Sequence, residues 1–384
     1  MAFGLVLAGG GVRGAYHVGV WKALKEMNIE VCAVSGSSIG AINGALFAQG
    51  DLETALKLWE QIALDDIVSL PPELAKESDL FEWKNVLKIF QKVSQGSGLD
   101  MNPLEELLRK ILDEDAVRRS KVDFGMTTYS LTEKKLIILY KNEIPKGQLI
   151  PYLMAAACLP GFKAREIGNQ KLIDAGMANN MPVDMLLNRG IDDIITVNVK
   201  GIGFYRDFNT SGRNMIPIEC RCPCTGTMDF NQEKIRCSIT EGYLDCKREF
   251  GVLFGRECYF NASEYRAIHM RYGQEIIDGV QWAAKALGLE LLREVAFDDL
   301  VKELLAAYLI QRELSEKSGI SEIDKIEKLS RLDDKSVICS LVEILDTNGF
   351  DFVKSKLDLL GRNYGAASAL LYFRRKMTAA ADMH

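Results

Sequence analysis

Gly36-Ser37-Ser38-Ile39-Gly40 follows the short apolar run Val31-Cys32-Ala33-Val34 and leads into the alanine-rich stretch Ala41-Ile42-Asn43-Gly44-Ala45. Glycine two places before and two places after a serine, between a strand and a helix, is the spacing of a nucleophile elbow. Such a turn is too tight for side chains at its flanks, and it lifts the serine hydroxyl clear of the backbone. The helix beyond it points free N–H groups and a positive dipole end at that oxygen. Ser38 is therefore the candidate nucleophile, with Gly36 and Gly40 shaping its turn.

A nucleophilic serine needs a base, and the chain has only three histidines, His17, His269 and His384. His384 is the last residue. His269 lies in Tyr265-Arg266-Ala267-Ile268-His269-Met270, far downstream and without chemistry around it. His17 opens the first helix just after a glycine loop, where packing or capping is its expected role. A carboxylate is the better base, and Leu172-Ile173-Asp174-Ala175-Gly176 places one at a strand end beside a turn. Asp174 is the candidate, with Gly176 supporting the turn.

The chain opens with the strand-like Phe3–Ala8, then Gly9-Gly10-Gly11-Val12-Arg13-Gly14, then the helix-like Ala15–Trp21. Residues without side chains let a backbone come close to a ligand, and consecutive N–H groups converge on a negative oxygen. Beside a nucleophilic serine this is an oxyanion hole, expected on Gly9, Gly10 and Gly11, chiefly the last two, with Ile39 beside them. Arg13 either draws a phosphate or fixes the loop, and its five donors favour the second role. The same six residues also fit a dinucleotide loop, with Gly9, Gly11 and Gly14 at its glycine positions. That reading lacks the acid expected at the end of the second strand, where Val34-Ser35-Gly36 stands. A Walker loop is excluded, because no Gly-Lys-Ser/Thr follows the glycines. A nucleotide-binding enzyme stays open as the alternative.

Taken in order, these three elements resemble the patatin-like phospholipase family. Gly9–Gly14 stands where that family has its glycine loop, Gly36–Gly40 its elbow, and Asp174-Ala175-Gly176 its aspartate tripeptide. Asn180-Met181-Pro182-Val183-Asp184 is similar to the helix start that follows the family's aspartate. Ala175 departs from the glycine many members carry. The resemblance spans residues 3 to 260 and implies a Ser38–Asp174 dyad without a catalytic histidine, acting on lipid esters through an acyl-enzyme. Phospholipase A or lysophospholipase chemistry is implied, with no metal and no cofactor. A catalytically silent scaffold of the same fold is a further alternative.

Composition agrees. With 384 residues, 48% of them hydrophobic, the chain can build one large domain and a smaller one around full cores. A net charge of −6 argues against nucleic acid as a partner and against a mainly electrostatic hold on anionic membranes. No run approaches the ~18 apolar residues of a membrane span. Phe3–Ala8 is too short for a signal peptide, Met1-Ala2 lacks a myristoylation glycine, and the C-terminus lacks a prenylation cysteine. The expectation is a cytoplasmic enzyme, with a lipid or ester substrate, that touches membranes peripherally. Trp83–Val93 is amphipathic, with Lys84, Lys88 and Lys92 opposite an aromatic and aliphatic face; it reads as a core helix or, alternatively, as a docking element. The nine cysteines are odd in number and suit a reducing compartment. Cys220-Arg221-Cys222-Pro223-Cys224, with Cys237, Cys246 and Cys258 downstream, reads as ordinary thiols. Zinc sites space paired cysteines more widely, and no histidine lies near.

Strand patterns at Phe3–Ala8, Val31–Ser35, Val122–Tyr129, Leu136–Tyr140, Gln170–Asp174 and Ile194–Val199 alternate with helix patterns at Gly14–Glu26, Ile39–Gln49, Leu52–Ala63, Pro103–Leu112 and Ile150–Ala157. The alternation predicts an α/β fold, with a mostly parallel central sheet flanked by helices. Both candidates then fall at strand carboxyl ends, where such sheets carry their sites. A catalytic domain is expected over 1–260. From Ala262 helical spacing takes over, predicting a helical C-terminal region over 262–384.

Overall fold

All five residues of β1 (Phe3–Leu7) are buried, which is how a central strand covered on both faces behaves. It pairs in parallel with β2 (Val31–Ser37) on one side and β7 (Asp193–Asn198) on the other. β3 (Asp123–Ser130) continues in parallel beyond β2, and β8 (Asn214–Glu219) beyond β7. Between these strands run α1 (Ala15–Glu26), α2 (Ile39–Gln49), α3 (Leu52–Gln61), α4 (Asn102–Ile111), α5 (Glu114–Arg119), α6 (Leu149–Ala156) and α7 (Val183–Leu187). The protein is thus α/β, with mostly parallel strands flanked by helices. In this computed structural model residues 2–69, 98–221, 224–317, 333–348 and 357–381 are described. Trp83–Val93, Cys222 and His384 lie outside them.

The far side of the sheet is antiparallel, which the alternation of patterns did not foresee. β4 (Lys135–Tyr140) returns along β3 after a turn too short for a parallel crossover. β6 (Gln170–Asp174) also runs against β3, and β5 (Arg165–Ile167) against β6. The register has a direct consequence. Gly125–Thr127 pair with both β2 and β4, and Thr128–Ser130 with both β4 and β6. β4 therefore holds one edge of β3, and β2 and β6 share the other, pointing at each other. Ser37, the last residue of β2, pairs with Thr127, while Asp174, the last residue of β6, pairs with Thr128. Two strand ends meet head-on, and each delivers one candidate residue to the same place.

Contacts group the chain into two compact units, Met1–Glu249 and Phe250–His384. The first closes with α8 (Gln232–Glu249), which lies along α1 at backbone distance. A Cβ on Gly19 of α1 would strike the carbonyl of Ile239, and one on Gly242 of α8 would strike the carbonyl of Tyr16. Tyr16 Oη donates to the buried Asp245 carboxylate across the same contact, at 2.7 Å. The second unit contains a short hairpin, Leu253–Phe254 with Phe260–Asn261, then α9 (Ala262–Ala286), α10 (Phe297–Lys317), α11 (Asp334–Asn348) and α12 (Leu357–Ala381). Its own core gathers Phe260, Ile277, Phe297, Leu304, Ile338 and Leu370.

The reciprocal glycines carry a stability prediction. Gly242→Ala forces α8 away from α1 and should cost about 1–3 kcal/mol, as overpacking usually does. The midpoint of urea unfolding measures it; an unchanged midpoint would mean the helices separate freely.

Candidate active site

Ser38 stands between β2 and α2 with φ 54° and ψ −129°, a backbone state in which a non-glycine residue is strained. The flanking glycines are required by contact. A Cβ on Gly36 would run into the Gly40 carbonyl, and one on Gly40 into the Leu7 carbonyl of β1. Ser38 occupies the N-cap position of α2, yet its side chain caps no N–H, which leaves the hydroxyl free of the helix. Gly14 packs on the same helix, since a Cβ there would lie 2.7 Å from Ile39 Cγ1.

Asp174 is almost fully buried. Its N–H donates to Cys158 O at 2.8 Å, and its Oδ1 accepts the Gly176 N–H at 2.6 Å. Burial pushes the carboxyl up from 3.8 to about 6, against smaller opposing effects of the Ser38 hydroxyl and the Gly176 N–H. Ser38 is close enough to favour the ionised carboxylate, while Oδ2 engages in no hydrogen bond of good geometry. The register therefore brings Ser38 and Asp174 face to face with a looser contact than a formed bond, as is common before substrate binds.

His17 is engaged with other groups. His17 Nδ1 faces the Asn43 amide nitrogen at 3.2 Å. That nitrogen only donates, so Nδ1 accepts and the ring proton sits on Nε2. Asn43 is itself held by Gly14 O and the Trp59 indole. Burial lowers His17 to about 3, so it stays neutral. His269 packs on the Tyr265 ring in the second unit.

The glycine loop passes directly beside the serine, since a Cβ on Gly9 would lie 3.0 Å from Ser38 Cβ. Gly9 itself is not an available donor, which corrects the sequence expectation. Its N–H is spent on Asn180 O at 3.0 Å. Gly10 and Gly11 have N–H groups without a partner among the described residues, and the next, Val12 N–H, donates to Thr227 O at 2.9 Å. Arg13 behaves as a tie: its guanidinium donates to Lys200 O in the loop after β7. Asn180 and Tyr205, which the sequence reading did not single out for the site, bond here as well. In the sequence Asn180 stands only within a helix start, and nothing periodic marks Tyr205.

Ser38 lines an apolar pocket of about 70 Å³, walled by Ile42 of α2, Leu58 and Trp59 of α3, Leu104 and Leu108 of α4, and Phe230. Among the described residues no ionisable side chain lines it. Among the described residues no cluster is suited to a metal ion. The expectation of ordinary thiols is corrected at one place, because Cys224 and Cys237 form a disulfide. Cys237 lies on α8, so its helical direction and the fold of the preceding loop, not the cysteine spacing, bring the pair together. Cys220 and Cys246 remain buried thiols, raised by burial well above the usual range. Among the described residues no helix is long and apolar enough to cross a membrane.

Residues 5–187 match the family model for patatin-like phospholipase. A patatin-like phospholipase domain-containing protein of Caenorhabditis elegans, ZK370.4, is 27% identical over 263 residues, covering 66% of this chain and 18% of that protein. Patatin-like phospholipase domain-containing protein 6 of Mus musculus is 27% identical over 214 residues, 55% of this chain and 14% of its own length. The lysophospholipase NTE1 of Mycosarcoma maydis is 26% identical over 205 residues, 53% and 10% respectively. The chain thus spans less than a fifth of the length of these relatives.

The raised carboxyl makes a pH prediction independent of any activity. Its folded value, about 6, lies above the unfolded 3.8. Below the unfolded value both states hold the proton and Asp174 costs nothing. As pH rises through the folded value the buried charge destabilises the protein. Asp174→Asn should therefore be more stable than wild type near neutral pH, by at most ~3 kcal/mol at 1.36 kcal/mol per pKa unit. The gain should vanish toward pH ~4. Thermal melts at both ends of that range check it, and a gain that ignores pH would contradict the burial argument.

Proposed function

Because residues 5–187 match the family model for patatin-like phospholipase, we propose that this chain is a serine lipid acyl hydrolase working through a Ser38–Asp174 dyad. The observation that carries the reading is a coincidence at one side chain. The Ser38 that Asp174 faces also lines the apolar pocket. A reactive oxygen at the wall of an apolar pocket suits an ester whose acyl part is a hydrocarbon chain, which gains about 0.8 kcal/mol per buried CH₂.

In the proposed reaction Asp174 Oδ2 takes the proton from Ser38 Oγ as Oγ attacks the ester carbonyl. The Gly10 and Gly11 N–H groups, with Ile39 N–H at the start of α2, hold the negative oxygen of the tetrahedral intermediate. Collapse returns the proton to the departing alcohol and leaves an acyl-serine. Water then attacks, with Asp174 again as base. A carboxylate shifted to about 6 is a stronger base than an ordinary aspartate and is still ionised at neutral pH. The substrate class is a phospholipid or lysophospholipid ester, in keeping with the relative named lysophospholipase. No cofactor is required. Cytoplasmic residence with peripheral membrane contact belongs to the same proposal.

Ser38→Ala and Asp174→Asn should each lower kcat on a short-chain ester by about 10³-fold or more. A fluorophosphonate should label wild type at Ser38. Activity should climb with pH through about 6 and then level, as the base ionises. His17→Gln should turn over normally. Full activity in Asp174→Asn would sink the dyad, and loss of activity in a well-folded His17→Gln would reassign the base.

A further inference from the structure

Three glycines on three different segments make room for one side chain. A Cβ on Gly9 would run into Asn180 Oδ1, one on Gly176 would lie 3.0 Å from the same atom, and one on Gly203 would lie 2.8 Å from Asn180 Cβ. The amide of Asn180, 1% exposed, is thus seated between the glycine loop and the turn that carries Asp174. Its Nδ2 donates to Gly9 O at 3.2 Å and to Tyr205 Oη at 3.0 Å. Tyr205 Oη in turn donates to Gly201 O at 2.9 Å. Gly9 O can only accept, so the face of the amide is fixed.

Gly9 O and Gly10 N–H belong to one peptide plane. The chain has no cis peptide among its described residues, and in a trans peptide these two groups point in opposite directions. Holding the oxygen on one side aims the hydrogen to the other, and a donor on the carbonyl polarises the N–H of the same plane. We propose that Asn180 is a positioning residue whose amide turns the Gly9–Gly10 peptide so that Gly10 N–H faces the developing oxyanion over Ser38. This rests on the hydrolase reading above. Gly9 N–H is held by the backbone carbonyl of Asn180 and not by its side chain, so a side-chain substitution spares that bond and removes the amide's contacts with Gly9 O and Tyr205 Oη.

Asn180→Ala and Asn180→Asp separate this role from simple packing. Losing an oxyanion donor outright costs about 10²–10³ in kcat, and a misaimed donor retains part of that. Both variants should lose about 10–100-fold in kcat on a short-chain ester, with KM within about threefold of wild type. Fluorophosphonate labelling of Ser38 should slow in proportion, because the phosphonyl oxygen uses the same donors. Tyr205→Phe keeps the amide but removes its second acceptor, and should show a smaller kcat loss with the same unchanged KM. This variant decides the matter if the asparagine variants fail to fold. Wild-type kcat and labelling rate in folded variants would overturn the proposal, as would a loss confined to KM. Absence of Ser38 labelling in wild type would instead overturn the hydrolase reading, and this proposal with it.

Discussion

The backbone of Ser38 is held in a conformation that costs about 1–3 kcal/mol for a residue with a side chain, and its neighbours are arranged to keep it there. β2 delivers the chain to the turn, the Gly36 and Gly40 backbones touch, and Gly40 packs beneath the end of β1. Relaxing the serine would require Ile39 and Gly40 to leave their places against Gly14 and Leu7. The strain is therefore local, while the restraint comes from the centre of the sheet. The gain is a hydroxyl that is not used for capping α2 and stands where β6 ends.

Burial then sorts the two available bases in an unusual order. In water imidazole is the stronger base, by more than two pKa units. Burial disfavours charge in both groups, so it makes His17 lose its proton at lower pH and Asp174 keep its proton to higher pH. The values become about 3 for the histidine and about 6 for the aspartate. One physical cause thus weakens the histidine and strengthens the carboxylate. The cost is a buried anion at neutral pH, only partly offset by the Gly176 N–H and the Ser38 hydroxyl.

Much of this was legible in the sequence, for identifiable reasons. β1, β2, β6 and α2 carry strong periodic patterns bounded by glycine, and their ends fall within a residue or two of those expected. Ser38 and Asp174 could be picked out because each sits where such a pattern stops. Their pairing came from the family resemblance alone and not from the patterns, because it depends on β6 running against β3 and sharing an edge with β2, and antiparallel pairing leaves no mark in an alternation of patterns. β8 escaped for a different reason: it is a half-exposed strand with Pro217 in it, and it follows a polar loop. The Cys224–Cys237 link was hidden by the helical stretch between its partners.

The glycine loop was ambiguous because glycine spacing describes only where a backbone can go, whereas chemistry depends on which of its polar groups remain free. A loop that embraces a pyrophosphate must offer N–H groups to several oxygens at once. Here the Gly9 N–H is taken by Asn180 and the Val12 N–H by Thr227, which leaves the adjacent pair on Gly10 and Gly11. A Cβ on Gly11 would strike the Thr227 carbonyl, so the far side of the loop is closed by backbone as well. Two neighbouring donors beside a serine suit one oxygen atom on a carbon bonded to that serine. The hydrogen bonds that consume the other donors leave the loop suited to a single oxygen atom, as the proposed hydrolase requires, and not to a general anion.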